Sequence, residues 1–290
     1  MDGVLHQVFS GIASGGIYAS IALALVMIFT ATHHVNFAQG EMAMFSTYIA
    51  LTLIQAGVPY WVAFVITIVF AMVVGMIVQK VLMEPLMNAP VLASVGVFIG
   101  LLFIFNSVAG WIFTYTLKPF PSPFGEGGPL LGGYFSRHEL GSTGITLVVL
   151  FSVWAFFRFT PLGLAMRAAA VNPVSSRLVG VPVATMLALG WGLASGIGAI
   201  AGMMVAPIVF LDPNMMSGVL LYAFAGALLG GITNPLGAVL GGFIVGVIEN
   251  LGGAYIVGTE LKLSMALIII VGVLTLKPAG LFGKVLASRV

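Results

Sequence analysis

Apolar runs long enough to cross a lipid bilayer recur from one end of this chain to the other. They lie near residues 8–31, 41–57, 60–82, 91–113, 142–158, 184–206, 216–233, 236–256 and 262–277. A crossing helix needs about 20 mostly apolar residues, so each run is a candidate span. Only 6% of the residues are charged, against roughly 25% in a soluble domain. Ten basic and eight acidic side chains cannot cover a water-facing surface on 290 residues. Backbone groups in hydrocarbon must bond within the protein, which leaves helices or closed barrels. The period-two alternation of a membrane barrel is absent. The expected fold is an all-α polytopic membrane protein with about eight to nine spans, forming a single transmembrane domain over residues 1–290.

The eighth run is the least helical by propensity, because it holds Gly241, Gly242, Gly246, Gly252 and Gly253. Glycines spaced i, i+4 have a ready use between membrane helices, where they let backbones approach closely. The pairs are Gly192/Gly196, Gly198/Gly202, Gly226/Gly230, Gly237/Gly241 and Gly242/Gly246. They predict a tightly packed second half.

The net charge of +2 and pI near 9.0 do not suggest nucleic acid, because the basic residues are thinly spread. They fit membrane orientation instead. With the N-terminus outside, Lys80, Arg158, Arg167, Arg177, Lys277, Lys284 and Arg289 fall inside, and only Lys118, Arg137 and Lys262 outside. Having no cysteine removes disulfides, Cys-ligated metals and thiol catalysis. Met1 and Asp2 offer no basic leader region, so the first run is expected to be a retained span.

Two connections are long. Residues 115–141 carry Pro119, Pro121, Pro123, Gly125, Gly127, Gly128 and Pro129, and are expected to form a non-helical outside loop that also holds Glu126. Residues 159–183 carry punctuation for two short helices on the inner side. Thr160-Pro161 and Asn172-Pro173 are each an N-cap followed by a proline at the first helical position. Gly180 and Pro182 stop the second helix. Val174, Leu178 and Val181 then share one apolar face, fit either for lipid headgroups or for a groove on another protein.

The strings GGIYASIALALVMIF and VNFAQGEMAMFSTYIA resemble the start of the LivH-type permease subunits of branched-chain amino-acid ABC importers. PLGLAMRAAAVNPVSSRLVGV resembles that family's coupling segment, and ALLGGITNPLGAVLGGFIVGVIENL its late glycine-rich helices. The terminal LKPAGLFGK resembles its C-terminal end. The resemblance implies an ABC importer permease bundle in a prokaryotic inner membrane. It implies as partners a second permease of LivM type, two ABC ATPase subunits and an extracytoplasmic binding protein. ATP and magnesium would belong to the ATPases, leaving this chain non-enzymatic and without a cofactor. It also maps Gly163, Arg167, Asn172, Pro173, Arg177 and Gly180 onto the ATPase-coupling segment, although Asn-Pro-Val-Ser-Ser stands where many members carry acidic residues. Relatives handling urea, short amides and aromatic acids keep those substrates open. No G-x-x-x-x-G-K-[ST] phosphate loop is present; the string from Gly280 to Val285 has the wrong spacing.

Polar residues inside the runs are the candidates for a translocation path. Glu249, followed by Asn250, is an intramembrane acid and thus a functional candidate or an interfacial one. Tyr18 and Asn106 are further candidates, and a lone Asn also serves as interhelical glue. The stretch HHVNFAQGEMAMF at 33–45 is a polar break between the first two runs. Its Asn36, Gln39 and Glu41 are expected at the inner mouth of the path, level with 159–183. The alternative is a solvated turn whose Glu41 favours a helix dipole. Adjacent His33 and His34 are poorly placed to share a metal.

A rival from another class is an aquaporin-like channel, suggested by Asn172-Pro173, Asn234-Pro235 and Asn36-Phe37-Ala38. Such a channel needs a cation-excluding Arg after a half-helix turn. Leu236 to Val239 supply none. A passive channel or secondary transporter also has no use for the doubly capped inner segment.

Overall fold

The computed structural model describes residues 2–86, 89–125 and 135–283. Glu126, Gly127, Gly128, Pro129, Lys284 and Arg289 lie outside the described residues. The helices are α1 Asp2–Thr32, α2 Gln39–Gln55, α3 Tyr60–Val78, α4 Val91–Phe113, α5 Arg137–Phe159, α6 Pro161–Val171, α7 Pro173–Leu178, α8 Val183–Val209, α9 Met215–Gly230, α10 Pro235–Tyr255 and α11 Lys262–Leu276. A π-helical turn, Gln79–Met83, continues α3.

Each apolar run coincides with one of α1–α5 or α8–α11. Among the described residues, six helices are long and apolar enough to cross a membrane unaided. The exceptions are α2, α9 and α11, with 17, 16 and 15 residues. At 1.5 Å per residue these reach only about 25 Å or less. The protein is an all-α, multi-pass membrane protein, and its exposed surfaces agree. Val62, Val65, Val69 and Val73 on α3 are 44–58% exposed, an apolar stripe with no polar cover.

One boundary departs from the sequence reading. Residues 137–141, expected in the loop, are the first turn of α5. The cause is a capping box: Ser136 Oγ accepts from Glu139 N–H (3.0 Å) and Glu139 Oε2 accepts from Ser136 N–H (2.8 Å).

The chain divides into two compact units. The first comprises residues 1–26, 124–144 and 218–290. Its centre is α10, whose glycines face two ways. A Cβ on Gly226 of α9 would lie 2.7 Å from the Gly242 Cα, and one on Gly237 would crowd Gly230. On another side of α10, a Cβ on Gly11 of α1 would lie 2.8 Å from the Val247 Cα and one on Gly15 2.9 Å from the Phe243 Cα. The glycine pairs of the late helices therefore do what their spacing predicted, while Gly11 and Gly15 of α1 are added partners. Asn234 caps α10 by accepting from Gly237 N–H (3.2 Å), and its Nδ2 donates to the Phe282 carbonyl (3.0 Å).

The second unit comprises residues 27–123 and 145–217, and α8 is its axis. Gly192 and Gly196 admit Met76 and Met72 of α3, with built Cβ atoms 2.9 Å from each Cγ. Gly198 and Gly202 face Gln39, Ala43 and Thr47 of α2. Trp191 is fully buried and stacks on Phe98 of α4, with centroids 5.9 Å apart. Beyond the C-terminal ends of α4 and α8, Lys118 and Leu211 exchange two backbone hydrogen bonds of 2.9 Å.

Candidate functional site

Helices α6 and α7 form as their caps dictate. Thr160 Oγ1 accepts from Gly163 N–H (2.9 Å), and Asn172 Oδ1 accepts from Ser175 N–H (3.0 Å). Pro161 and Pro173 each occupy the first helical turn. A Cβ on Gly163 would lie 2.7 Å from the Phe157 Cα, so this glycine seats α6 on the end of α5. Met166 and Ala169 are buried with Val183, Met186 and Leu187, and Ala31 and Val181 pack on them. Gly180 ends α7 at φ +84°, which an L side chain adopts only with strain.

The expected apolar face of α7 splits. Val181 packs inward, whereas Val174 and Leu178 are 70% and 83% exposed. Val171 and Val179 join them outside, flanked by exposed Arg167 and Arg177. Six-residue α7 is thus held by its base and presents an apolar tip with basic shoulders.

The polar break after α1 is placed differently from its expected position. Ala31 packs beside Val183 and Leu187, at the start of α8. Gln39 Nε2 donates to the Ala194 carbonyl (2.9 Å), seven residues beyond Leu187. That is about 10 Å further along the helix. The chain turns at His33, φ +57°, and climbs through residues 34–38. Six extended residues can span about 20 Å, so the climb is short for the chain available. Short α2 therefore starts part-way along the bundle. It runs beside α4 in the same direction: Phe45 lies 5.6 Å from Phe105, and Tyr48 stacks on Phe113 at 4.4 Å. The break re-enters the bundle and is not level with the 159–183 segment.

Within the break, Asn36 and Gln39 are fully buried and serve each other. Asn36 Nδ2 donates to Gln39 Oε1 (3.2 Å), and Asn36 Oδ1 accepts from Ala38 N–H (3.0 Å). Together they start α2 and tie it to α8. His33 meets Phe29 edge-on, and His34 Nδ1 lies 2.6 Å from the Thr32 carbonyl, so the two imidazoles have separate partners.

Glu41, in the first turn of α2, is 5% exposed and faces Asn106 of α4. Asn106 Nδ2 is 3.4 Å from Glu41 Oε2, 2.8 Å from the Pro213 carbonyl and 3.1 Å from Asn214 Oδ1. Its Oδ1 accepts from the Tyr115 hydroxyl (3.1 Å). Asp212 Oδ2 accepts from Asn214 N–H (3.2 Å). The Lys118 ammonium lies 6.0 and 5.7 Å from the Tyr48 and Phe113 ring centroids, within cation–π range. Two residues beside this cluster, Thr114 (φ 65°, ψ 167°) and Phe210 (φ 64°, ψ 154°), hold a backbone region that costs about 1–3 kcal/mol outside glycine. Tyr115, Lys118, Asp212 and Asn214 lie in loops or at a helix end, where no periodicity marks them.

In the other unit the structure brings Tyr18, Glu249 and Asn250 together, a meeting that the sequence did not indicate, and adds two more residues. Glu249 Oε1 pairs with Lys262 Nζ at 2.9 Å. Its Oε2 accepts from the Tyr18 hydroxyl and from Asn250 Nδ2, both at 3.2 Å. Tyr18 also stacks on Tyr222, with centroids 5.1 Å apart. Gly253 explains how Lys262 arrives: a Cβ there would meet the lysine's alkyl stem, which lies across α10. The acid thus joins α1, α10 and α11.

Residues 7–274 match the family described as "Branched-chain amino acid transport system / permease component". The chain is 27% identical to the high-affinity branched-chain amino acid transport system permease protein LivH of Escherichia coli K12, covering 97% of this chain and 96% of that protein. It is 28% identical, with the same two coverages, to the corresponding permease protein BraD of Pseudomonas aeruginosa. A probable branched-chain amino acid transport permease of Methanocaldococcus jannaschii is 27% identical over 91% of this chain and 87% of its own length. No solved structure matches.

Proposed function

The chain belongs to the family of branched-chain amino acid transport system permease components, and from that membership we propose that it is the membrane subunit of an ATP-driven importer of branched-chain amino acids. The observation that carries this reading is a family match over nearly the whole chain, with relatives of nearly equal length. The expected partners are a second, LivM-type permease, two cytoplasmic ATPase subunits that bind ATP and magnesium, and an external binding protein. This chain is then not itself an enzyme.

Coupling is assigned to α6 and α7. A segment that transmits force must not bend, and a six-residue helix is unstable alone. Here both N-termini are capped, and α6 is buried against the start of α8. The exposed tip of Val171, Val174, Leu178 and Val179 suits helix-in-groove docking to an ATPase. Arg167 and Arg177 beside it suit an acidic rim. Movement of this stub passes directly into α8, the axis of its unit.

Within that unit, Glu41 and Asn106 are the candidates for contact with solute. Asn36 and Gln39 hold the break in place. Tyr18, Glu249 and Asn250 are assigned to a clamp that fastens three helices.

The test is purification followed by uptake in vesicles. The native chain is expected to co-purify with its ATPases. An Arg177→Glu, Gly180→Trp double variant is expected to assemble, hydrolyse ATP and lose coupled uptake. A Cβ at Gly180 meets nothing within 4 Å, so the indole finds room, but φ +84° strains any side chain there, and the Arg177→Glu single variant, free of that strain, is expected to lose uptake in the same direction. Normal uptake by that variant, or a chain that transports alone without ATPases, refutes the proposal.

A further inference from the structure

Two carboxylates are buried among the described residues, and the fold treats them differently. Glu249 has its cation: Lys262 at 2.9 Å, with two more donors at 3.2 Å. Glu41 has none. Among the described residues it forms no ion pair, and its side-chain donor is the Asn106 amide at a long 3.4 Å. Asp212 nearby also lacks a cation within ion-pair range among the described residues. An isolated carboxylate in a dry setting is costly, and buried charges are ordinarily paired. Glu41, whenever it is ionised, therefore lacks a counter-cation in ion-pair range among the described residues.

Its surroundings fit a particular cation. Phe45 stands one turn after Glu41, on the same face of α2, and packs against Phe105 of α4. Both rings are half-buried, so part of this aromatic wall is uncovered. The Tyr48 hydroxyl, on the next turn, is buried without a hydrogen-bond partner. A group that would complete these contacts carries an ammonium for Glu41 and an aliphatic body for Phe45 and Phe105. We infer that Glu41, backed by Asn106, receives the ammonium of the transported amino acid, and that Phe45 and Phe105 receive its branched side chain. This rests on the permease reading given above and extends it to the solute's contacts. The strained ends at Thr114 and Phe210 place the loops that hold Asn214, Asp212 and Lys118 beside the same cluster.

The chain contains no cysteine, so a single introduced thiol is the one thiol on this subunit, and labelling is read on this subunit's own mass. Ser217 is exposed, and its Oγ donates to the Asn214 carbonyl (2.7 Å). In the membrane-embedded complex, Ser217→Cys is labelled with cationic and anionic methanethiosulfonates, each rate normalised to a free thiol. The cationic reagent is expected to react faster by about five-fold or more, as unpaired charge within roughly 10 Å of the thiol requires. Leucine is expected to slow labelling, and 4-methylpentanoate, which lacks the ammonium, is not. Glu41→Gln is expected to reduce the charge preference to the part that Asp212 supplies, and to abolish the protection. Glu41→Asp, which keeps the charge, retains the preference and so controls for folding.

Labelling with no charge preference, or a preference and protection undiminished in Glu41→Gln, overturns the assignment of Glu41 while leaving the permease reading intact. Equal protection by 4-methylpentanoate, or protection by sodium without leucine, overturns the ammonium as ligand. Failure of both reagents to react means that water does not reach the cluster, and removes it from any translocation path along with this inference.

Discussion

The Glu249–Lys262 pair allows the clamp to be separated from a solute contact by a double-mutant cycle. Glu249 is 8% and Lys262 26% exposed at the side chain, so the pair lies between two regimes. Removing one member of a fully buried pair costs about 3–5 kcal/mol, because the other is left uncompensated. Exposed pairs contribute about 0–1 kcal/mol. Lys262→Met strands an almost buried carboxylate, and a loss of about 2 kcal/mol is expected between those limits. Glu249→Gln leaves the lysine free to snorkel to water, and its amide oxygen still accepts from Tyr18, so about 1 kcal/mol is expected. Combining them leaves no charge unpaired, and the double variant should lose no more than about 1 kcal/mol, a coupling of roughly 2 kcal/mol. Melting of the purified complex reads this at about 2–4 °C per kcal/mol. Lys262→Met should fall furthest, with much of that loss recovered on adding Glu249→Gln. Uptake should survive in the double variant. Additive losses in the cycle would remove the clamp. Lost uptake in a double variant that melts normally would return Glu249 to the translocation path.

Other expectations follow from single contacts. Gly226→Ala puts a methyl against the Gly242 backbone, which cannot rotate away, and should cost about 1–3 kcal/mol in melting. Gly100→Ala on α4 meets open space and should be neutral or slightly stabilising, so equal losses at the two sites would contradict the packing. Asn172→Ala removes the cap of α7 and about 1 kcal/mol, seen as faster amide exchange at Ser175, while Asn172→Asp should preserve it.

The parts legible in the sequence were those governed by local rules. The caps of α6 and α7 need only Thr-Pro, Asn-Pro and a glycine in sequence, and they appear as those residues require. The i, i+4 glycines of α8, α9 and α10 state a helix face, and each face meets a neighbour. Even so, the neighbour was not written there. Spacing does not say that Gly242 faces α1 while Gly241, one residue earlier, faces α9. The capping box of Ser136 and Glu139 was equally local, and was hidden by the Pro/Gly composition of the residues before it.

The polar break shows where local rules stop. A hydropathy profile records that a helix ends near Thr32 and another begins near Gln39, and simple topology then places both ends at one surface. Three non-local facts place α2 deeper: Gln39 on the Ala194 carbonyl, Glu41 beside Asn106, and Tyr48 on Phe113. None has a signature in the 33–45 string. Depth also changes what the residues mean. At a surface, Asn36 and Gln39 would bond to water and Glu41 would be an ordinary first-turn acid. Inside the bundle no water serves the backbone at a broken helix, so side chains must do so. Asn36 and Gln39 are consumed in that task, closing the Ala38 amide and fastening α2 to α8. Glu41 is not consumed. The re-entrant start of α2 thus turns three polar residues of one string into two that build the break and one left without an ion-pair partner among the described residues.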